Sequence, residues 1–176
     1  MRHPDDPHYV VGIVGCGAMG QGIAQVSAQG GMRTILYDAR EGGAAQARDR
    51  IGGHIERMAE KGRVSADDAA AAKGRLEVAD GLSGLAECDA VVEAIFEDLE
   101  VKRSLFRELE GVLRPDCLIA SNTSSIPIAS IARACEHRGR IGGLHFFNPV
   151  PLMKLVEVIR AAETSDRAVE NLMALG

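Results

Sequence analysis

YVVGIVGCGAMG, residues 9–20, is the stretch that decides the fold. Residues 9–14 are a short apolar run with β-branched side chains, ended by glycines, which predicts a buried strand. From Ala18 to about Gln29 small and apolar residues recur at helical spacing, and a Gly-Gly pair then ends the helix. GCGAMG (15–20) fits the pattern GxGxxG, and its place between a strand and a helix predicts a dinucleotide site.

Each glycine of this loop has a separate physical task. Gly15 allows the tight turn, Gly17 lets the backbone approach a pyrophosphate, and Gly20 lets helix and strand pack closely. The helix begins at Ala18 and Met19, and its unpaired N–H groups and positive dipole end favour phosphate. We therefore count these five residues as cofactor contacts; the alternative is a glycine-rich turn without a ligand.

The next predicted strand, RTILYD (33–38), ends in Asp38. A carboxylate at this place accepts hydrogen bonds from the adenosine ribose hydroxyls, whereas a 2′-phosphate would meet a like charge. The sequence therefore predicts NAD as the cofactor rather than NADP, although Arg40 lies two residues on and could pair with a phosphate. The structural alternative for Asp38 is a helix N-cap, which is compatible with the ribose role.

Strands and helices alternate along the rest of the chain. Further strands are predicted at 75–79, 89–95, 117–121, 140–147 and 153–159, and helices at 99–113, 126–135 and 165–175. The stretch 41–74 breaks at Gly62 and restarts with an N-cap signature at SADD (65–68), which predicts a helical hairpin. This pattern predicts an α/β fold, a Rossmann-type doubly wound, mostly parallel sheet with the hairpin as an insertion. Residues 1–8 are expected to be a disordered lead-in and residues 9–176 one domain.

Composition narrows the class of function. The 176 residues are 46% apolar, and a net charge of −5 gives no case for a nucleic-acid partner. No apolar run approaches a transmembrane length, and MRHPDDPHY lacks the apolar core of a signal peptide, so we expect no membrane partner and a cytoplasmic location. The four cysteines lack CxxC spacing and histidines at ligand spacing, so we expect reduced thiols and no metal site.

Polar residues follow strands in the second half of the chain. SNTSSIPI (121–128) puts five hydroxyl or amide side chains at the sheet edge where open α/β folds bind ligands, and a helix cap is the alternative. His145 comes near the end of one predicted strand, and Glu157 interrupts the next apolar run. If Glu157 points toward His145, it fixes the imidazole tautomer and stabilises the imidazolium; if it points to solvent, it is an ordinary polar-face residue.

Taken together, these motifs resemble a known family. GCGAMGQGIAQ near the N-terminus, EAIFEDLEVK (93–102), SNTSS (121–125) and GLHFFNPVPLMKLVEVI (143–159) are similar to the NAD-binding domain of the 3-hydroxyacyl-CoA dehydrogenases, from about Val10 to the end. The helical hairpin is also a feature of that family. The resemblance implies an oxidoreductase of fatty acid metabolism (β-oxidation) that oxidises the 3-hydroxyl of an acyl-CoA to a ketone, with the hydride passing to NAD.

The resemblance also implies a role for individual side chains. His145 is the general base, Glu157 pairs with it, and Ser124 hydrogen-bonds the substrate oxygen and lies near the cofactor. The implied residues at the nicotinamide end of the cofactor are Asn148, Asn122, Glu97 and Lys102. For Glu97 and Lys102 the alternative is an exposed helix start with favourable charge placement.

Members of this family continue into a mostly helical C-terminal domain that closes the cleft and forms the dimer. We therefore expect this chain, from which that domain is absent, to be a fragment of a longer, homodimeric enzyme that binds NAD and turns over poorly alone. Arg48, Arg50 and Arg57 on the hairpin are candidates for contact with the CoA phosphates; the alternative for each of them is a solvated helix face. Acyl-chain length, a diacid chain and the physiological direction stay open. The alternatives are another hydroxy-acid dehydrogenase and a non-catalytic, crystallin-like dinucleotide-binding protein of the same fold.

Overall fold

A seven-stranded sheet forms the centre of the computed structural model, which describes all 176 residues. Its strands are β1 (Val10–Val14), β2 (Arg33–Tyr37), β3 (Leu76–Val78), β4 (Ala90–Glu93), β5 (Leu118–Ser121), β6 (Ile141–Phe146) and β7 (Val156–Ile159). The order is β3-β2-β1-β4-β5-β6-β7; the first six run parallel and β7 is antiparallel to β6. This is the doubly wound Rossmann order with one added strand, so the predicted fold class is confirmed.

Six helices cover both faces of the sheet. They are α1 (Ala18–Gln29), α2 (Gly43–Glu60), α3 (Ala66–Gly74), α4 (Leu99–Val112), α5 (Ile128–Ala132) and α6 (Asp166–Leu175). Alternate residues of β1 enter two different apolar layers, Val11 and Ile13 on one side and Val10 and Val14 on the other. Because both faces are covered, the whole strand is buried, which explains why it reads as a continuous apolar run.

The predicted hairpin consists of α2 and α3. Gly62 lies in the turn between the two helices with a φ of +66°, a left-handed conformation that favours glycine. Ser65 caps α3, since its hydroxyl accepts the Asp68 N–H at 3.0 Å. Ala47 and Ile51 of α2 are buried in the main core, so the hairpin packs against the sheet domain.

Several elements are shorter than the sequence predicts, and two of these differences concern the second half of the chain near the site. The helix expected at 126–135 covers Ile128–Ala132, because Pro127 lies at its N-cap. The strand expected at 153–159 begins only at Val156, and the residues before it leave Leu152 and Leu155 exposed. The loop between β6 and β7 is therefore longer than the apolar pattern indicates.

Residues 1–8 do not extend into solvent as the expected disordered lead-in. They form turns at the amino edge of the sheet, where Arg2 donates to Asp89 at 3.1 Å and Arg167 donates to the Met1 carbonyl at 2.7 Å. Asp89 is 2% exposed and also accepts from Arg114 at 2.7 Å. A buried carboxylate requires such partners, which is the physical reason this segment is held.

Candidate functional site

The glycine loop leaves open space above its backbone. Gly15 has a φ of +92°, and a Cβ there would lie 2.8 Å from the carbonyl of Ala94. A Cβ on Gly20 would lie 1.8 Å from the Gly15 carbonyl oxygen, so only glycine allows α1 to begin this close to the loop. At Gly17 a Cβ would meet nothing within 4 Å. That open space is where a pyrophosphate would fit.

The amino end of α1 supplies free amides to this space. Ala18 and Met19 are the first two residues of the helix, and the bond from the Gln21 N–H to the Gly17 carbonyl begins its ladder. Amides ahead of that bond have no partner within the helix. They are therefore available to a phosphate, together with the positive end of the helix dipole.

A cavity of about 850 Å³ lies beside the loop and is lined by Asp38 and Arg40. The Asp38 carboxylate accepts the Cys16 N–H at 2.8 Å and the Arg40 N–H at 2.9 Å. Its oxygens retain lone pairs for ribose hydroxyls, since each carboxylate oxygen can accept two bonds. The N-cap of α2 is Gly42, so the alternative that Asp38 caps a helix is wrong.

The first two residues of SNTSS join three strand ends. Ser121, which is fully buried, donates to Glu93 at the end of β4 at 2.6 Å. The Asn122 side-chain oxygen accepts the Phe146 N–H of β6 at 2.9 Å. Asn122 therefore fixes the end of the strand that carries His145.

Of the other three residues of SNTSS, two hydrogen-bond to Glu97 through their hydroxyls and one does not. Thr123 and Ser125 both donate their hydroxyls to the Glu97 carboxylate, at 3.1 Å from Ser125. Ser124 lies between them, is exposed, and takes part in neither bond. The turn is thus tied down on both sides of one accessible hydroxyl, which a simple helix cap would not require.

Lys102 is buried, so the alternative of an exposed helix start is wrong for this residue. Its side chain is 1% exposed, and Nζ lies 2.5 Å from Glu93 Oε1 and 3.4 Å from Glu97 Oε2. Sequence reasoning missed Glu93. A signal was present, because Lys102 shares the buried face of α4 with Phe106 and Leu109 at helical spacing, and a buried lysine needs a buried acid.

Glu97 remains ionised at the mouth of this cluster. Burial on its own raises the pKa of Glu97, but hydrogen bonds from Thr123 and Ser125 and the charge of Lys102 outweigh it, so the pKa lies below the ordinary 4.5. The cluster therefore brings one ammonium and two carboxylates to the carboxyl ends of β4 and β5.

His145 and Glu157 form a direct pair. They lie opposite each other in the antiparallel register of β6 and β7, and Nδ1 of His145 is 2.9 Å from Oε2 of Glu157. The imidazole is 18% exposed and packs at 4.6 Å from the ring of Phe147, measured between centroids. A carboxylate at Nδ1 favours the tautomer with its proton there and leaves Nε2 to act as a base.

Asn148 lies on the loop after β6, beside a second cavity of about 470 Å³. Val150 of the same loop packs on α1 so closely that a Cβ on Gly22 would lie 2.7 Å from the Val150 Cβ. The hairpin side of this cavity is basic and is lined by His54, Arg57, Lys61 and Arg63. Of the three hairpin arginines considered above, only Arg57 lines this cavity.

The four cysteines are free and buried. Burial and the nearby Asp38 raise the pKa of the Cys16 thiol to about 12, so this thiol in the glycine loop stays protonated near neutral pH. No group of three or more His, Cys, Asp or Glu side chains is arranged to hold a metal ion. None of the helices combines the length and apolar character needed to cross a membrane.

Residues 10–176 match the family model of the 3-hydroxyacyl-CoA dehydrogenase, NAD binding domain. The chain belongs to this family. The resemblance carried by the four motifs is thereby confirmed, and so is NAD as the cofactor. The residues of this NAD-binding domain also fit NAD physically, because open space lies over Gly17 and the Asp38 carboxylate lines the adjoining cavity.

Named relatives support the same assignment. A probable 3-hydroxybutyryl-CoA dehydrogenase of Deinococcus radiodurans is 42% identical over 88% of this chain, and a 3-hydroxyadipyl-CoA dehydrogenase of Escherichia coli is 40% identical over 94%. The crystal structure of 3-hydroxybutyryl-CoA dehydrogenase from Escherichia coli superposes with a TM-score of 0.92 and 38% identity over 96% of this chain and 37% of that one. The chain spans 55% of the Deinococcus relative and 35% of the 3-hydroxyadipyl-CoA relative.

Proposed function

We propose that this chain is the nucleotide-binding part of an enzyme that oxidises the 3-hydroxyl of a 3-hydroxyacyl-CoA to a 3-ketoacyl-CoA. The observation that carries the proposal is the His145–Glu157 pair, 2.9 Å apart at the sheet edge. A base oriented by a carboxylate serves to remove a hydroxyl proton, and a dinucleotide-binding protein that transfers no proton would have no use for such a pair. For the same reason the non-catalytic, crystallin-like alternative is not favoured.

His145 takes the hydroxyl proton through Nε2, and Glu157 stabilises the imidazolium that forms. In the reverse direction the imidazolium returns this proton to the forming alkoxide. NAD, when bound, supplies the acceptor for the hydride that leaves the carbinol carbon. Ser124, whose hydroxyl is accessible, hydrogen-bonds the substrate oxygen and so holds it near the imidazole.

The nicotinamide end of the cofactor meets Asn148, Asn122, Glu97 and Lys102 in this proposal. Asn122 and Lys102 already bond within the protein, so they contribute mainly by shaping the wall. Glu97 and Asn148 are more accessible, since the Glu97 side chain is 39% exposed and Asn148 lies on an exposed loop.

The thioester substrate is assigned to the basic cavity between the hairpin and the loop after β6. Its lining includes Arg57, Lys61 and Arg63 but no acidic residue, so it attracts the phosphates of CoA. Both a butyryl and an adipyl acyl group occur among the named relatives, so the acyl chain is not assigned. A homodimer of the longer enzyme and a cytoplasmic location complete the proposal.

The test is turnover of acetoacetyl-CoA with NADH, measured on this chain and on a longer product that continues past Gly176. We expect activity in the longer product, its abolition by His145→Gln, and unchanged NADH binding in that variant. His137→Gln serves as the matched control, because His137 is exposed and precedes the amino end of β6, whereas His145 lies near the carboxyl end of that strand. If His145→Gln loses NADH binding while the bound fraction reacts at the wild-type rate, the role of His145 is wrong.

A further inference from the structure

Glu93 is the most completely enclosed charged group in the site. It ends β4, its side chain is 0% exposed, and three donors reach its carboxylate. Lys102 Nζ at 2.5 Å and the Ile95 N–H at 2.7 Å bond Oε1, while the Ser121 hydroxyl at 2.6 Å bonds Oε2. Removing one partner from such a pair leaves an uncompensated buried charge, so the arrangement holds each of its members firmly.

Two routes lead from Glu93 to groups of the proposed site. Through Lys102 it connects to Glu97, which receives the hydroxyls of Thr123 and Ser125 on either side of Ser124. Through Ser121 it reaches the same turn from the strand side. Glu97 also contacts the ammonium, at 3.4 Å, but it is partly exposed and bonds Thr123 and Ser125.

We propose that Glu93 is a positioning residue of this cleft: its buried carboxylate fixes the Lys102 ammonium and, through Ser121, the turn that presents Ser124. The inference rests on the proposed function, since it gives Lys102 and Ser124 their tasks at the cofactor and substrate. Without the charge of Glu93, the ammonium has only Glu97 as a charged partner. Glu97 is then drawn toward Lys102 and away from Thr123 and Ser125, which loosens the turn.

A double-mutant cycle on NADH affinity tests this inference. We expect Glu93→Gln and Lys102→Met each to weaken NADH binding about tenfold, and the double variant to bind no more weakly than Lys102→Met alone, because coupled residues are not additive. Asp89→Asn is the matched control: it neutralises another buried carboxylate, at the amino edge of the sheet, and should leave NADH affinity unchanged while lowering the melting temperature.

Several results overturn the inference. They are unchanged affinity in Glu93→Gln or Lys102→Met, additive losses in the double variant, or an equal loss in Asp89→Asn, which would indicate general destabilisation. If Glu93→Gln does not fold, Glu93→Asp replaces it as the test variant, since aspartate keeps the charge but moves the carboxylate away from Lys102 and Ser121. Unchanged NADH affinity in Glu93→Asp refutes the positioning role. A wild-type longer product that binds NADH but fails to reduce acetoacetyl-CoA defeats the proposed function, whereas the double-mutant cycle on NADH affinity can still be interpreted.

Discussion

Glu157→Gln isolates the charge behind His145 with little change of shape. The wild-type carboxylate lies 2.9 Å from Nδ1 and faces a ring that gains a proton during the proposed reaction. The glutamine amide can still accept the Nδ1–H, so the ring can keep its orientation. What is lost is the attraction between the carboxylate and the imidazolium, which exists only once the proton has moved. The variant should therefore lower kcat and leave the affinity for NADH unchanged.

The size of the loss follows from the exposure of the pair. Two unit charges about 4 Å apart attract by about 1 kcal/mol in water and about 4 kcal/mol at an effective dielectric constant of about 20. Glu157 is 55% exposed, whereas His145 is 18% exposed, which places the pair nearer the water limit. We take about 1.5–2 kcal/mol, and this corresponds to a fall in kcat of about 10- to 30-fold.

The assay measures the steady-state reduction of acetoacetyl-CoA by the longer protein that continues past Gly176, with and without Glu157→Gln. NADH titration of the same variant measures cofactor affinity. Glu77→Gln is the matched control, because Glu77 is also a partly exposed glutamate in an ion pair, with Arg33 at 2.7 Å, on the far side of the sheet. A kcat within about twofold of wild type, or an equal loss in the control, refutes the assignment of Glu157, since a lost attraction of this size cannot leave the rate unchanged.

Three further variants probe the cofactor loop and the frame around it. Asp38→Ala should weaken NADH binding about tenfold, because the ribose hydroxyls lose their acceptor. NADPH binding should weaken less, because the same substitution removes the repulsion between Asp38 and the 2′-phosphate. Equal weakening in titrations of both cofactors would contradict the ribose assignment. Gly22→Ala should destabilise by about 1–3 kcal/mol through overpacking against Val150, and Val150→Ala in the same chain should recover only part of the melting temperature, because alanine removes the Cγ2 at 2.9 Å but keeps the Cβ at 2.7 Å. Burial raises the pKa of Glu110, but the backbone N–H groups of Glu136 and His137 and the charge of Arg140 lower it overall, below the ordinary 4.5. The ionised form of Glu110 therefore stabilises the fold at pH values above about 4.5. Denaturant titrations should show the largest stability difference between wild type and Glu110→Gln near neutral pH, and a smaller difference as the pH falls below about 4.5. A difference that does not change with pH would contradict this prediction.

The sequence predicts the fold well where the physics is local. A strand covered on both faces must be apolar throughout, and a glycine loop before a helix has few other uses, so β1, α1 and β2 are recognisable without tertiary information. The N-cap at Ser65 is likewise a local hydrogen bond and is confirmed. The short β7 is harder, because the loop before it is apolar as well and leaves Leu155 exposed.

The candidate site depends on facts that a sequence does not contain. His145 and Glu157 meet because β7 turns back antiparallel to β6 in one particular register, and a shift of one residue would put the carboxylate on the other face. Glu93 is missed for a different reason. In the run AVVEAI (90–95) a glutamate resembles the polar end of a strand, and only the placement of Lys102 shows that both are buried.

Groups that hold this site are distinct from groups available to react. Glu93, Ser121 and Asn122 use their polar atoms on the protein, whereas Ser124 and the Nε2 face of His145 are left for a ligand. A reacting group needs free hydrogen-bonding capacity, and its neighbours must be satisfied if it is to stay in place. Substitutions at the holding positions should therefore weaken NADH binding and turnover together, while those at His145 and Ser124 should lower turnover with NADH binding intact. A holding residue whose loss changed kcat alone would have to touch the reacting atoms, which its burial behind the strand ends does not allow.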